Sequence, residues 1–227
     1  MKKLEAIVLG ATGATGQEIV TRLLKDTSFD KVTVFVRRNL NYNHKKLIVH
    51  VIDFSKLKEV EYLIHGDVLF SCLGTTLNAA GSKEKQYLVD YTYPFEFAKI
   101  AAKKGVSQCS LVSSTGANKN SVFFYPKIKG ELEESVKNLP FKNIQIFQPP
   151  TLIRQQELIR PVEKIAIKLF KGLNALGILK SQKPLSVGKL AEKMICEIKS
   201  LPKEKIKIFS AKEIFRTCQS LELKHDV

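Results

Sequence analysis

Gly10-Ala11-Thr12-Gly13-Ala14-Thr15-Gly16, entered from the apolar segment Ala6–Leu9 and left through Gln17-Glu18-Ile19-Val20, decides how this chain is read. Glycine at Gly10, Gly13 and Gly16 removes the Cβ atoms that would keep a tight turn from reversing and its backbone from approaching a ligand. A helix that starts here offers unpaired N–H groups and the positive end of its dipole to an anion. Placed between a strand and a helix, the turn Gly10, Thr12, Gly13, Ala14, Thr15 and Gly16 reads as a cradle for a pyrophosphate.

Working outward, short β-branched segments recur at Val32–Val36, Leu47–Ile52, Val68–Cys72, Ser110–Val112 and Ile144–Phe147. Most are continuous apolar runs, the pattern of strands buried on both faces of a parallel sheet. Helical spacing fills the gaps at Gly16–Lys25, Leu57–Leu63, Glu84–Lys104 and Tyr125–Asn138, with Gly105 and Pro140 as stops. Right-handed crossovers then predict an α/β fold, a doubly wound parallel Rossmann sheet in the strand order 3-2-1-4-5-6. Beyond Gln148-Pro149-Pro150 the pattern turns to basic helical segments at Pro161–Leu173 and Ser186–Ser200. A strand-like Ile206–Phe209, one candidate extra strand, and a closing helix follow. Ile159, Val162, Ile165, Leu169 and Phe170 share one helical face, so the first of these helices is expected to pack over the mouth of the sheet. Residues 1–227 are thus expected to form a single dinucleotide-binding domain, with 151–227 contributing a small helical, substrate-side subregion.

The chain has 227 residues, 44% hydrophobic and 26% charged, which excludes a disordered or fibrous protein. No apolar run is long enough to span a bilayer, and the start, Met1-Lys2-Lys3-Leu4-Glu5, lacks the apolar region of a secretory leader. Cys72, Cys109, Cys196 and Cys218 are widely spaced without a C-x-x-C pair, so free thiols and a cytoplasmic location are expected. The net charge of +15 is spread along the chain, 21 basic against 14 acidic residues in 1–150 and 16 against 8 thereafter. It forms no concentrated arm, so no nucleic-acid partner is expected. No metal site is expected, and monomer and homodimer are both compatible with the sequence.

Where a dinucleotide fold that prefers NAD carries an acid at the end of the second strand, this chain has Arg37-Arg38. Guanidinium groups there pair with a 2′-phosphate through two parallel hydrogen bonds, so NADP(H) is favoured over NAD(H). The Gly-x-x-Gly-x-x-Gly spacing resembles the cofactor turn of extended and atypical short-chain dehydrogenases/reductases, and that resemblance implies that Asp53 and Phe54, at the end of the third strand, lie by the adenine. Cys72-Leu73-Gly74-Thr75 ends the fourth, with Gly74 allowing close passage of the backbone. Pro149, past the sixth strand, joins this set of cofactor-contacting positions.

After the fifth strand come Ser113-Ser114 and then Tyr125-Pro126-Lys127-Ile128-Lys129. Tyr-x-x-x-Lys sets a phenol and an ammonium one helical turn apart. A cation beside a phenol favours the phenolate, which suits the pair to trading a proton with a carbonyl or alcohol. The Ser114 hydroxyl can hydrogen-bond the same substrate oxygen. Pro126 disfavours α geometry at the residue before it, so Tyr125 is expected in the very first turn of its helix.

Gly10–Gly16, Arg37-Arg38, Cys72–Thr76, Leu111–Ser114, Gly116-Ala117-Asn118-Lys119 and Tyr125-x-x-x-Lys129-Gly130-Glu131 together resemble the Tat-interacting-protein branch of the atypical short-chain dehydrogenases/reductases. The resemblance runs over most of residues 1–160. It implies NADPH as the ligand and Ser114, Tyr125 and Lys129 as the catalytic trio, with Tyr125 and Lys129 also touching the cofactor. The sequence departs from the branch at Gln148-Pro149-Pro150, where relatives carry Arg-Pro-Gly, and at Thr115, where they carry lysine. Two functions follow as expectations: an NADPH-dependent oxidoreductase acting on a small carbonyl or alcohol, and, as the alternative, a non-catalytic NADPH-binding sensor acting through a protein partner.

Overall fold

The computed structural model describes residues 2–40, 42–153, 184–200 and 204–216. Its elements, in chain order, are β1 (Leu4–Leu9), α1 (Ala14–Lys25), β2 (Phe29–Val36), β3 (Leu47–Val51), a 3-10 stretch (Phe54–Leu63), β4 (Val68–Ser71), α2 (Leu77–Ala80), α3 (Lys83–Tyr87), a π turn (Leu88–Thr92) and α4 (Tyr93–Lys103). There follow β5 (Gln108–Val112), α5 (Phe124–Lys137), β6 (Asn143–Phe147), β7 (Leu152–Ile153), β8 (Leu185–Ser186), α6 (Val187–Lys199), β9 (Ile206–Phe209) and α7 (Ala211–Phe215).

Seven strands form one sheet in the order β3-β2-β1-β4-β5-β6-β9, with every neighbouring pair parallel. The order reverses at β1, where β2 lies on one side and β4 on the other. Register brings Leu9 level with Phe35 and with Ser71. The carboxyl ends of the three strands therefore open together into the crevice that such sheets leave at their switch point. The extra strand expected at Ile206–Phe209 is β9, which extends the sheet beyond β6. Phe147 and Phe209 stack across that boundary with ring centroids 4.5 Å apart.

Both faces of the sheet are buried, which explains the unbroken apolar runs. Ala6 and Val8 face Ile19 and Leu23 of α1 and Leu190 and Met194 of α6. Ile7 and Leu9 face Phe97 and Ala101 of α4 and Leu132 and Val136 of α5. Each such large side chain contributes roughly 1.5–3 kcal/mol by leaving water.

Three expectations change. The long helix Glu84–Lys104 is interrupted: Pro94 has no N–H to give the Asp90 carbonyl, and the ladder widens into the π turn just ahead of it. Leu57–Leu63 belongs to a longer 3-10 stretch whose start is capped by Asp53. Cys72 and Cys109 are free thiols as expected, but Cys196 is disulfide-bonded, which corrects the reading of four free cysteines. The helix expected at Pro161–Leu173, and Cys218, lie outside the described residues.

Candidate cofactor cleft and active site

The glycine turn has the geometry its spacing implies. Gly10 sits at φ +78°, and a Cβ there would lie 2.6 Å from the carbonyl oxygen of Cys72, the residue after β4. At Gly16 a Cβ would collide with the Gly10 carbonyl. Gly13 closes the turn by donating its N–H to Gly10 O at 2.9 Å. As the N-cap of α1 it brings no capping side chain, and the first turn of α1 holds no acid. The leading N–H groups of α1 are thus left for an anionic ligand.

A cleft of about 360 Å³ opens beside this turn. Of the positions expected to hold the cofactor, Gly10, Thr12, Gly13, Arg37, Phe54, Cys72, Leu73, Gly74 and Thr75 line it. Ala14, Thr15, Gly16, Arg38, Asp53, Tyr125, Lys129 and Pro149 are not among its lining residues. Ala14, Thr15 and Gly16 form the first turn of α1, Thr15 and Gly16 being buried there. Asp53 is engaged locally, accepting from Ser55 N at 2.9 Å and Ser55 Oγ at 2.7 Å, so its carboxylate starts the 3-10 stretch. Pro149 accepts Thr115 N–H at 3.0 Å through its carbonyl and so fixes the turn that follows Ser114.

The second half of the cleft wall was not legible. Ala79 and Ala80 of α2, Lys85 of α3, Leu88 and Val89 of the π turn and Tyr93 of α4 complete it. Short helices without a periodic apolar face leave no pattern in sequence, and Lys83-Glu84-Lys85 reads as a solvated charge run.

Tyr125 is the second residue of α5, as Pro126 predicted, and is exposed at the mouth of that helix. One turn on, the buried Lys129 brings its Nζ to 5.8 Å from the Tyr125 ring centroid. The residue that sequence reading missed altogether is Asp90. Its Oδ1 lies 2.9 Å from Lys129 Nζ, and both side chains are shut away from solvent. Its Oδ2 accepts Thr75 N–H at 3.0 Å. A Cβ on Gly74 would come to 3.0 Å from Asp90 Oδ1 and 3.6 Å from Lys129 Nζ, so the ion pair lies directly under the cleft wall at Gly74. Burial by itself pulls the Lys129 ammonium down. Asp90 first, then Tyr125, outweigh burial and hold it above the ordinary lysine value.

Ser114 follows β5, at the same end of the sheet, its Oγ 3.4 Å from Thr115 O. Beneath it, Ser113 Oγ donates a short hydrogen bond to the buried carboxylate of Glu133 on α5. Gln148 Nε2 donates to the same carboxylate at 3.0 and 3.1 Å. The departure at Gln148 therefore falls on a carboxylate whose hydrogen-bond donors here are neutral.

An open parallel sheet with a glycine turn, an uncapped helix end and a basic cleft at the switch point defines a dinucleotide-binding α/β protein. The sequence matches the family described as NAD(P)H-binding over residues 10–139. It is 36% identical over 177 residues to Protein HTATIP2 of Rattus norvegicus, covering 76% of this chain and 73% of that protein. It is 39% identical over 155 residues to "Protein FMP52, mitochondrial" of Kluyveromyces lactis, covering 67% and 69%. The fold is shared with a UDP-N-acetylglucosamine 4-epimerase from Methanobrevibacter ruminantium M1, with a TM-score of 0.68, 17% identity and 92% and 76% of the two chains covered. The chain belongs to the NAD(P)H-binding family, in the atypical short-chain dehydrogenase/reductase branch that its motifs resemble.

The relatives correct one expectation. Several fungal ones are designated mitochondrial, which overturns the cytoplasmic location. Widely spaced cysteines without a C-x-x-C pair do not discriminate the cytosol from other compartments.

Proposed function

We propose that the chain is an NADP(H)-dependent oxidoreductase that interconverts a small carbonyl compound and its alcohol. The observation that carries this reading is the placement of Tyr125 over a buried Lys129, which itself lies under the cleft wall at Gly74. When bound, the reduced nicotinamide would supply a hydride to the carbonyl carbon. Gly10, Gly13 and the start of α1 would hold the pyrophosphate, and Arg37 the 2′-phosphate. The Tyr125 hydroxyl would donate its proton to the carbonyl oxygen as the hydride arrives, and the Ser114 hydroxyl would donate a hydrogen bond to that same oxygen. Lys129 would stabilise the phenolate left behind, and Asp90 keeps the ammonium in place.

The test is binding and turnover on one sample. NADPH is expected to bind more tightly than NADH, and Arg37→Ala to remove that preference. Tyr125→Phe is expected to keep NADPH affinity and to lower turnover of a reactive small aldehyde by about 10²–10⁴-fold. Tyr125→Phe with full turnover overturns the catalytic role.

A second reading, a cofactor-binding sensor that acts through a protein partner, is favoured by one observation. The Lys129 charge is already matched by Asp90, so less of its field is left to promote proton transfer at Tyr125. It is supported if NADPH binds tightly, a panel of aldehydes and ketones gives no turnover, and Tyr125→Phe leaves the protein's cellular effect intact.

A further inference from the structure

Among the described residues lining the cleft, Arg37 and Lys85 carry charge, both positive, and none is acidic. They reach it from different places in the fold. Arg37 follows β2, on one side of β1, whereas Lys85 belongs to α3, in the segment after β4 on the other. The glycine turn at the end of β1 lies between them. α3 is anchored where it starts: Ser82 Oγ accepts the Lys85 N–H at 3.2 Å, fixing the Lys85 backbone in the first turn. The segment ahead of α3 is pinned as well, since Gln86 Nε2 donates to Thr75 O at 3.4 Å. The neighbouring lysine is occupied elsewhere, with Lys83 Nζ 5.4 Å from the Phe124 ring centroid. Among the described residues neither Arg37 nor Lys85 is ion-paired with a carboxylate.

Two cations without a carboxylate partner among the described residues, facing a cleft whose described lining holds no acid, favour a ligand with more than one anionic group. The turn and α1 account for one such group. Resting on the dinucleotide reading above, we propose that Lys85 is a second phosphate-binding cation of this site. It closes over the cofactor's phosphate oxygens from the β4 side, so that the glycine turn is bracketed by a cation on each flank. Lysine acts here as a mobile point charge that follows the phosphate, in contrast to the planar fork of Arg37. The α2–α3 segment thereby becomes part of cofactor recognition.

The experiment is a fluorescence titration of the full chain with NADPH and with NADH, for the wild type, Lys85→Ala, Lys85→Arg and the neighbour Lys83→Ala, at low and high salt. Lys85→Ala is expected to weaken NADPH binding about tenfold, roughly 1.4 kcal/mol. Lys85→Arg is expected to retain most of the affinity and Lys83→Ala to change nothing. The loss should shrink in about 1 M salt, where screening acts within roughly 3 Å. A loss confined to NADPH supports contact with the 2′-phosphate, and a loss with both cofactors supports contact with the pyrophosphate. Wild-type affinity in Lys85→Ala for both cofactors overturns the proposal while leaving the dinucleotide reading intact. Failure of the wild type to bind either cofactor overturns that reading instead.

Discussion

Lys129 Nζ and Asp90 Oδ1 lie 2.9 Å apart with both side chains buried, an ion pair joining α5 to the π turn beneath the cofactor cleft. Removing one partner strands a charge in a medium that solvates it poorly. Asp90→Ala is expected to destabilise the protein by about 3–5 kcal/mol, and Asp90→Leu combined with Lys129→Met to recover much of that loss. Urea unfolding of the three proteins checks it, and an Asp90→Ala variant as stable as wild type would remove the pair from any account of the fold.

The same pair carries a pH signature. The folded-state value of Lys129 is raised above the ordinary lysine value of 10.5: burial pulls it down, and Asp90 first, then Tyr125, outweigh burial. A raised value means that the folded state holds the proton more tightly than the unfolded one. The stabilisation is therefore complete below 10.5 and is lost as pH rises through the higher folded value. Wild type is expected to lose stability more steeply than the Asp90→Leu, Lys129→Met double variant above that pH, with thermal melts as the measurement.

Glycines of this chain are expected to divide sharply on substitution. Gly10→Ala drives a methyl to 2.6 Å from Cys72 O at a backbone φ of +78° and so must push β1 and β4 apart. Gly81 has nearly the same φ, +82°, with nothing within 4 Å. Gly81→Ala should cost about 1 kcal/mol, the strain of a left-handed backbone alone, and leave cofactor binding unchanged. Gly10→Ala should abolish binding. Calorimetric titration together with melting curves separates the two.

Gln148→Arg is expected to stabilise the protein by about 1 kcal/mol, the difference between a neutral and a charge-assisted pair of hydrogen bonds. The buried Glu133 carboxylate already receives Gln148 Nε2 at 3.0 and 3.1 Å, so a guanidinium needs little rearrangement to replace it. A fall in melting temperature would show that the pocket cannot take the longer side chain.

Burial pushes the Cys109 thiol up to about 12. Its thiolate is therefore scarce at neutral pH in the folded state, and labelling by a thiol reagent at pH 8 is expected only after unfolding. Rapid modification of native Cys109, read by mass spectrometry, would count against its position inside the sheet.

What the sequence disclosed and what it withheld follow from the range of the interactions involved. The strand order could be read because buried parallel strands are continuous apolar runs, and the glycine turn because its steric demand falls on three nearby positions. Tyr125 and Lys129 share one helical turn, so their apposition is local as well. Asp90 belongs to the same site but reaches it through a π turn, whose extra residue per turn defeats any 3.6-residue periodicity, and its partners Thr75 and Lys129 are distant in sequence. Lys85 was hidden for a related reason: α3 is too short to show a face. The capping role of Asp53 was hidden too, because position at a strand end does not reveal that its carboxylate accepts from a serine two residues on.

The pairing of α1 with α6, and of β6 with β9, also orders events on the ribosome. The strands and turns that line the cleft are all made by residue 93, yet the α1 face carrying Ile19 and Leu23 meets Leu190 and Met194 only when α6 emerges. Until then the α1 stripe lacks the Leu190 and Met194 side chains that pack on it in the finished fold, and apolar surface of that kind is what chaperones engage. A chain halted between α5 and α6 would already possess its cofactor-binding turn and still lack the cover that keeps it from aggregating.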